Sequence, residues 1–130
     1  MSELLEFDDL AQVEVLLRAG MEFKFETPAP EGVLLGSPVY AASLARLRDG
    51  LQEALRTGPL PSRVKAHVEW YRLVGHPHRW AVLAERAAAH PRWHDLTEAE
   101  AREWLEALAS PLTVDDEAYR GVRALIDARP

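Results

Sequence analysis

Four of the five histidines lie in two short segments, each of which also contains a proline, an arginine and a tryptophan. The first segment is GHPHRW, residues 75–80, and the second is HPRWH, residues 90–94. A zinc site needs three or four ligands that converge on one point at about 2.0–2.3 Å. The pattern predicts one helix over residues 77–89, which is about 20 Å long at about 1.5 Å per residue. The two segments therefore cannot share a metal within one chain, and we expect neither a metal site nor a cofactor.

A structural role is the simplest interpretation of these histidines, because a histidine beside a proline at a helix boundary commonly serves as a cap. Contact with an anion and pH sensing are the alternatives. Residues 56–93, which include most of the histidines, hold seven basic and two acidic side chains, a net charge of +5.

Arginine and aromatic side chains are interleaved in segment 56–93, a combination that suits single-stranded nucleic acid. The helix start after His76 adds backbone N–H groups that can hold a phosphate. Six residues are the candidates for an anion or nucleic-acid site: Arg72, His76, His78, Arg79, Arg86 and Arg92. Against this reading, the whole chain has a net charge of −6 and a pI of about 5.3, whereas nucleic-acid binders are usually basic. Trp70 and Trp80 are expected in the core, so nucleic-acid or phosphate binding is the alternative function.

Charge is distributed in three blocks along the chain. Residues 1–55 hold ten acids and four bases, and residues 94–130 hold nine acids and four bases, so both ends are acidic around the basic middle. Such blocks indicate either an anionic partner or complementary surfaces, within one fold or between subunits. We favour complementary surfaces.

A divalent-metal hydrolase of the all-α type is a further alternative. Glu100, Glu103 and Glu106 repeat every three residues, as do Glu3, Glu6 and Asp9. Metal-binding helices need such spacing, but an exposed helix face has it too, and we favour the exposed face. The chain has no cysteine, which excludes disulfides, thiolate zinc sites and cysteine nucleophiles. The sequence has no HExxH motif, no phosphate-binding glycine loop and no G-x-S-x-G turn.

The composition predicts one helical domain over residues 1–130. The chain is 48% hydrophobic, its N-terminus is acidic, and it has no apolar run of about 18 residues. We therefore expect a cytoplasmic protein with no membrane contact, and the arginine-rich, asparagine-free composition suggests a bacterial source. The pattern predicts a mainly α, compact single-domain bundle of about six helices with these ranges: 2–19, 37–57, 61–74, 77–89, 97–108 and 113–127. Capping side chains are expected at Ser37, at Thr97, where Glu100 completes a capping box, and at Thr113 or Asp115.

A small β-hairpin near residues 21–35 completes the predicted fold. Met21, Phe23 and Phe25 alternate with charged residues, as in a half-buried strand, and residues 33–35 are the expected second strand. Two strands alone are marginal in water, so the hairpin would lie on the helices or pair with the hairpin of a second copy. The preferred hypothesis is a non-enzymatic protein-interaction or regulatory domain that self-associates through Met21, Phe23 and Phe25.

Overall fold

The computed structural model describes residues 9–27 and 34–129. These residues form six α-helices and no strand, which confirms the mainly α prediction: α1 (Leu10–Met21), α2 (Pro38–Thr57), α3 (Arg63–Trp70), α4 (Pro77–Ala88), α5 (Glu98–Ala109) and α6 (Asp116–Asp127). No helix within those two ranges has both the length and the apolar character that crossing a bilayer requires.

Short-range capping contacts mark the start of four of the six described helices. Ser37 Oγ accepts a hydrogen bond from Tyr40 N at 3.2 Å at the start of α2. Thr97 and Glu100 form the reciprocal capping box expected for α5. Asp115 caps α6 by accepting from Ala118 N at 2.9 Å. Each cap satisfies a backbone N–H that lacks a partner within its helix, and each lies where the sequence predicted a helix start. For α1 the cap is Asp9; the predicted start at Ser2 lies outside the described residues.

The core is built around the contact between α4 and α6. Leu83, Ala84 and Ala87 of α4 are buried, and the alanines permit close helix packing. Gly121 of α6 lies against Trp80, since a Cβ atom there would be 2.3 Å from the indole ring. A side chain at position 121 would therefore displace the tryptophan.

The β-hairpin prediction is wrong, because residues 21–26 are helical. Helix α1 runs through Gly20 to Met21 and continues as a π-helical turn, Glu22–Glu26. Gly20 does not end the helix; it allows α2 to approach, since a Cβ atom at this position would be 2.7 Å from a methyl group of Leu44. Met21 and Phe25 are four residues apart and share the buried side of the helical turn, which the strand pattern did not anticipate. Of the second predicted strand, residue 33 lies outside the described residues, and Leu34 and Leu35 form a bend and turn before α2.

Helix α3 is shorter than the predicted range of 61–74. After Trp70 the chain leaves the helix, and Thr113 exchanges backbone hydrogen bonds with it: Leu73 N donates to Thr113 O at 2.9 Å and Thr113 N donates to Tyr71 O at 2.7 Å. A short 3-10 turn, Leu73–Gly75, follows. This bridge to the loop between α5 and α6 anchors Tyr71 and Leu73, both of which are buried.

Candidate functional site

The three arginines Arg72, Arg79 and Arg86 of the predicted anion site face groups of the same chain. Arg72 pairs with Asp115 at 2.6 Å and Glu69 at 3.2 Å. Arg86 donates to the carbonyl oxygens of Lys24 and Thr27, and so caps the C-terminal end of the π-helical turn. Cations are favourable there because a helix C-terminus carries partial negative charge. Arg72 and Arg79 also link the basic middle segment to the acidic ends, since Arg79 lies 3.6 Å from Glu26.

The other three predicted anion-binding residues lie at opposite ends of α4, with His76 and His78 at its start and Arg92 beyond its end. His76 Nε2 lies 2.6 Å from Trp70 O, so this nitrogen donates to the carbonyl, and the rings of His76 and His78 lie 5.9 Å apart at the start of α4. Arg92 lies beyond the other end of that helix. Helix α4, twelve residues and about 18 Å long, holds the two histidine segments at its opposite ends. In the described part of the chain no three His, Asp or Glu side chains are grouped so that they could hold a metal ion.

The predicted carboxylate row of a hydrolase lies on the exposed side of α5. Glu100 belongs to the capping box, and hydrogen bonds from the backbone and then the side chain of Thr97 lower the pKa of Glu100. Glu103 and Glu106 are exposed. Asp9 caps α1, while Glu3 and Glu6 lie outside the described residues. The residues predicted for self-association pack within their own chain: Met21 and Phe25 are buried, and Phe23 is half-buried beside Tyr40.

A cleft of about 490 Å³ opens between α1, with its π-helical turn, and the end of α3. We call it the α1–α3 cleft. Its lining combines aromatic, acidic and basic side chains: Glu14, Arg18, Met21, Glu22, Glu26, His67, Trp70, Tyr71 and Arg79. Its volume lies in the range of about 300–1,000 Å³ that is usual for ligand pockets.

Three rings form the aromatic wall of the cleft. Trp70 meets Tyr71 edge to face, with ring centroids 4.9 Å apart, and His67 stacks on Tyr71 at 4.7 Å. Tyr71 is buried, whereas Trp70 is 49% exposed, contrary to the expectation that it lies in the core. A large, half-exposed indole beside a concave surface is typical of binding sites.

His67 contributes a neutral ring to the wall at pH 7. Burial lowers the pKa of His67 below its ordinary value, although Glu14 acts in the opposite direction. Gln52 Nε2 lies 3.2 Å from His67 Nδ1. An amide nitrogen can only donate, so in the neutral ring Nδ1 is the acceptor and Nε2 carries the proton. Burial also raises the pKa of Tyr71, which keeps its phenol protonated.

Arg79 completes the wall as a cation placed against two rings. Its guanidinium carbon lies 5.3 Å from the centroid of Phe25 and 5.8 Å from that of Trp70. One end of the guanidinium faces His76 Nδ1 at 3.4 Å, and the other faces Glu26. Its Nε is buried with no partner among the described residues. The polar edge of Arg79 is therefore directed at groups of its own chain.

Carboxylates border the cleft along α1. Glu14, Arg18, Glu22 and Glu26 follow one another at intervals of four residues, which places them along one side of a helix. Among the described residues, neither Glu14 nor Glu22 forms an ion pair within 4.0 Å. Three carboxylates and two guanidinium groups give the lining a net charge of −1 at pH 7.

The sequence contains one signal for this site. Charged residues repeat every four residues from Glu14 to Glu26, but they share a helix face only if α1 continues past Gly20, whereas the alternation of Met21, Phe23 and Phe25 predicts a strand there. The exposure of Trp70 could not be predicted from its neighbours in sequence, because its surroundings depend on where α1 lies. This chain matches no protein-family model, no curated protein and no solved structure.

Proposed function

We propose that this protein is a non-enzymatic, helical interaction domain that binds a segment of a partner protein in the α1–α3 cleft. The single observation that carries the proposal is Trp70, 49% exposed at the edge of a cleft of about 490 Å³. Buried tryptophans and arginines supply much of the binding energy of protein interfaces. Trp70 would become buried if a peptide segment filled the cleft.

Self-association is one form of this proposal, with a second copy as the partner. The strand pattern of residues 21–25 favoured self-association, but residues 21–26 are helical, and Met21 and Phe25 already pack in the core. Light scattering after gel filtration distinguishes a monomer from a dimer. A cytoplasmic location in a bacterium is retained as part of the proposal. Nucleic-acid binding through segment 56–93 gains no support from this geometry, because Arg72, Arg79 and Arg86 face groups of the same chain.

An array of immobilised peptides of varied sequence tests the proposal. The full chain, Trp70→Ala and Val39→Ala are compared, Val39 being a highly exposed apolar residue that does not line the cleft. We expect the full chain and Val39→Ala to bind the same peptides, and Trp70→Ala to bind them about tenfold more weakly, which corresponds to about 1.4 kcal/mol. Circular dichroism checks that both variants are folded. Absence of peptide binding, or equal binding by Trp70→Ala, would contradict the proposal.

A further inference from the structure

We infer that the α1–α3 cleft selects a basic side chain, lysine or arginine, from the partner segment. This inference rests on the proposed function and specifies its ligand. It is drawn from the charge of the lining, from the aromatic wall and from the way in which Arg79 is already held.

The carboxylates of the cleft favour a cation. Glu26 faces Arg79 at 3.6 Å, but Glu14 and Glu22 have no ion-pair partner within 4.0 Å among the described residues. Arg18 is the only other cation of the lining, midway between them in sequence. His67 adds no positive charge at pH 7, because its pKa is lowered by burial. A lysine or arginine entering the cleft would meet a negative lining, and opposite charges at an interface favour that partner over an acidic one.

The aromatic wall favours the same class of ligand. A cation within about 6 Å of a ring centroid is attracted to the face of the ring, most strongly for tryptophan. Trp70 already has the guanidinium of Arg79 at 5.8 Å, so the chain itself shows the ring in contact with a cation. Since Trp70 remains 49% exposed, a second cation has ring surface to contact.

An acidic ligand fits the cleft less well. Of the two cations of the lining, Arg79 has its two ends facing Glu26 and His76, and Arg18 lies between Glu14 and Glu22 along α1. The Nε of Arg79 is fully covered, so the side-on pair of nitrogens that grips a carboxylate is not accessible. An anion would also approach Glu14 and Glu22, which would repel it.

Three peptides of equal length, alternating glycine with arginine, norleucine or glutamate, test the inference. The readout is the indole N–H resonance of Trp70 in the full chain, identified by its loss in Trp70→Phe. We expect the arginine peptide to shift this resonance in a saturable way, with an effect that weakens as salt is added. The norleucine and glutamate peptides should leave the resonance in place.

The double variant Glu14→Gln/Glu22→Gln should weaken binding of the arginine peptide about tenfold. Glu103→Gln/Glu106→Gln is the matched control, because it changes the net charge equally on the exposed side of α5, away from the cleft. Equal weakening by both pairs would overturn the inference, and so would preferential binding of the glutamate peptide. If the array gives Trp70-dependent peptides that lack basic residues, the interaction function stands and only the basic ligand is wrong.

Discussion

Helix α6 has twelve residues and a strong apolar stripe, whereas α3 has eight residues and a weak one, and the two helices differ completely in burial. Helix α6 buries Ala118, Tyr119, Val122 and Ile126, whereas α3 buries no side chain. Their neighbours differ as well. Helix α6 packs on α4, whose alanines allow close approach, while α3 has α2 on one side and borders the α1–α3 cleft on another.

The comparison shows that α3 is held at its end more than along its length. Tyr71 and Leu73, which follow the helix, are buried and joined by hydrogen bonds to Thr113. The helix can therefore present His67 and Trp70 to the cleft without contributing its own side chains to the core. Ligand-binding segments are commonly those with few buried apolar contacts. Helix α3 fits this description, because it lines the cleft and buries no side chain of its own.

The largest expected effect concerns Lys24 in the π-helical turn. This charged side chain is buried more deeply than any apolar side chain of α3. Lys24 is 1% exposed; its Nζ donates to Ala107 O at 2.6 Å and lies 5.5 Å from the centroid of the Tyr40 ring. Burial lowers the pKa of Lys24 from 10.5 to about 8. Between about pH 8 and 10.5, Lys24 is protonated in the unfolded chain but largely neutral in the folded protein. The free energy of unfolding therefore increases as pH rises through that window.

Lys24→Met should remove this gain, which is on the order of 3 kcal/mol across the full window. Denaturant unfolding at a series of pH values from 7 upward gives the free energy of unfolding of the full chain and of the variant. The difference between the two is compared across pH, because both contain the same tyrosines and the contribution of tyrosine titration cancels. Lys65→Met, at an exposed lysine of α3, is the control and should keep the pH dependence of the full chain. A parallel pH dependence in Lys24→Met and the full chain would show that the lysine is not buried as a charge.

The same substitution in the two helices tests the comparison directly. Val122 of α6 is 1% exposed and Val68 of α3 is 37% exposed. Val122→Ala should lower the free energy of unfolding by about 2 kcal/mol, from lost burial and a cavity. Val68→Ala should change it by less than about 0.5 kcal/mol. Urea denaturation measures both, and equal losses would mean that α3 is packed as firmly as α6.

The smallest expected effect compares two glycines within helices. Gly121→Ala should destabilise the protein by about 1–2 kcal/mol, because its Cβ would lie 2.3 Å from the ring of Trp80. Gly50→Ala in α2 has no atom within 4 Å of the new Cβ, so it should stabilise by about 0.5–1 kcal/mol through helix propensity. Thermal unfolding measures both changes: the midpoint temperature should fall for Gly121→Ala and rise for Gly50→Ala. A stabilising Gly121→Ala would mean that α6 and α4 are not in close contact there.

The helix count was predictable because caps are local. Ser37, Thr97 and Asp115 each accept a hydrogen bond from a backbone N–H three residues further on. The starts of α2, α5 and α6 are therefore determined by residues close in sequence. The π-helical turn was not predictable in this way, since the alternation of Met21, Phe23 and Phe25 fits a strand as well as a widened helical turn. The cleft was not predictable for the same reason, because five of its nine lining residues lie on α1 and the π-helical turn.

The amino-acid sequence by itself determined where helices begin, the opposed charge blocks and the absence of cysteine chemistry, because each depends on neighbouring residues or on composition. Tertiary structure alone decided which charges are buried and which aromatic rings are exposed. Lys24 bonds to a carbonyl 83 residues away, and Arg86 to one 62 residues away. The surroundings of a side chain are set by elements distant in sequence, so no local pattern could place Lys24 in the core or Trp70 at the edge of a cleft.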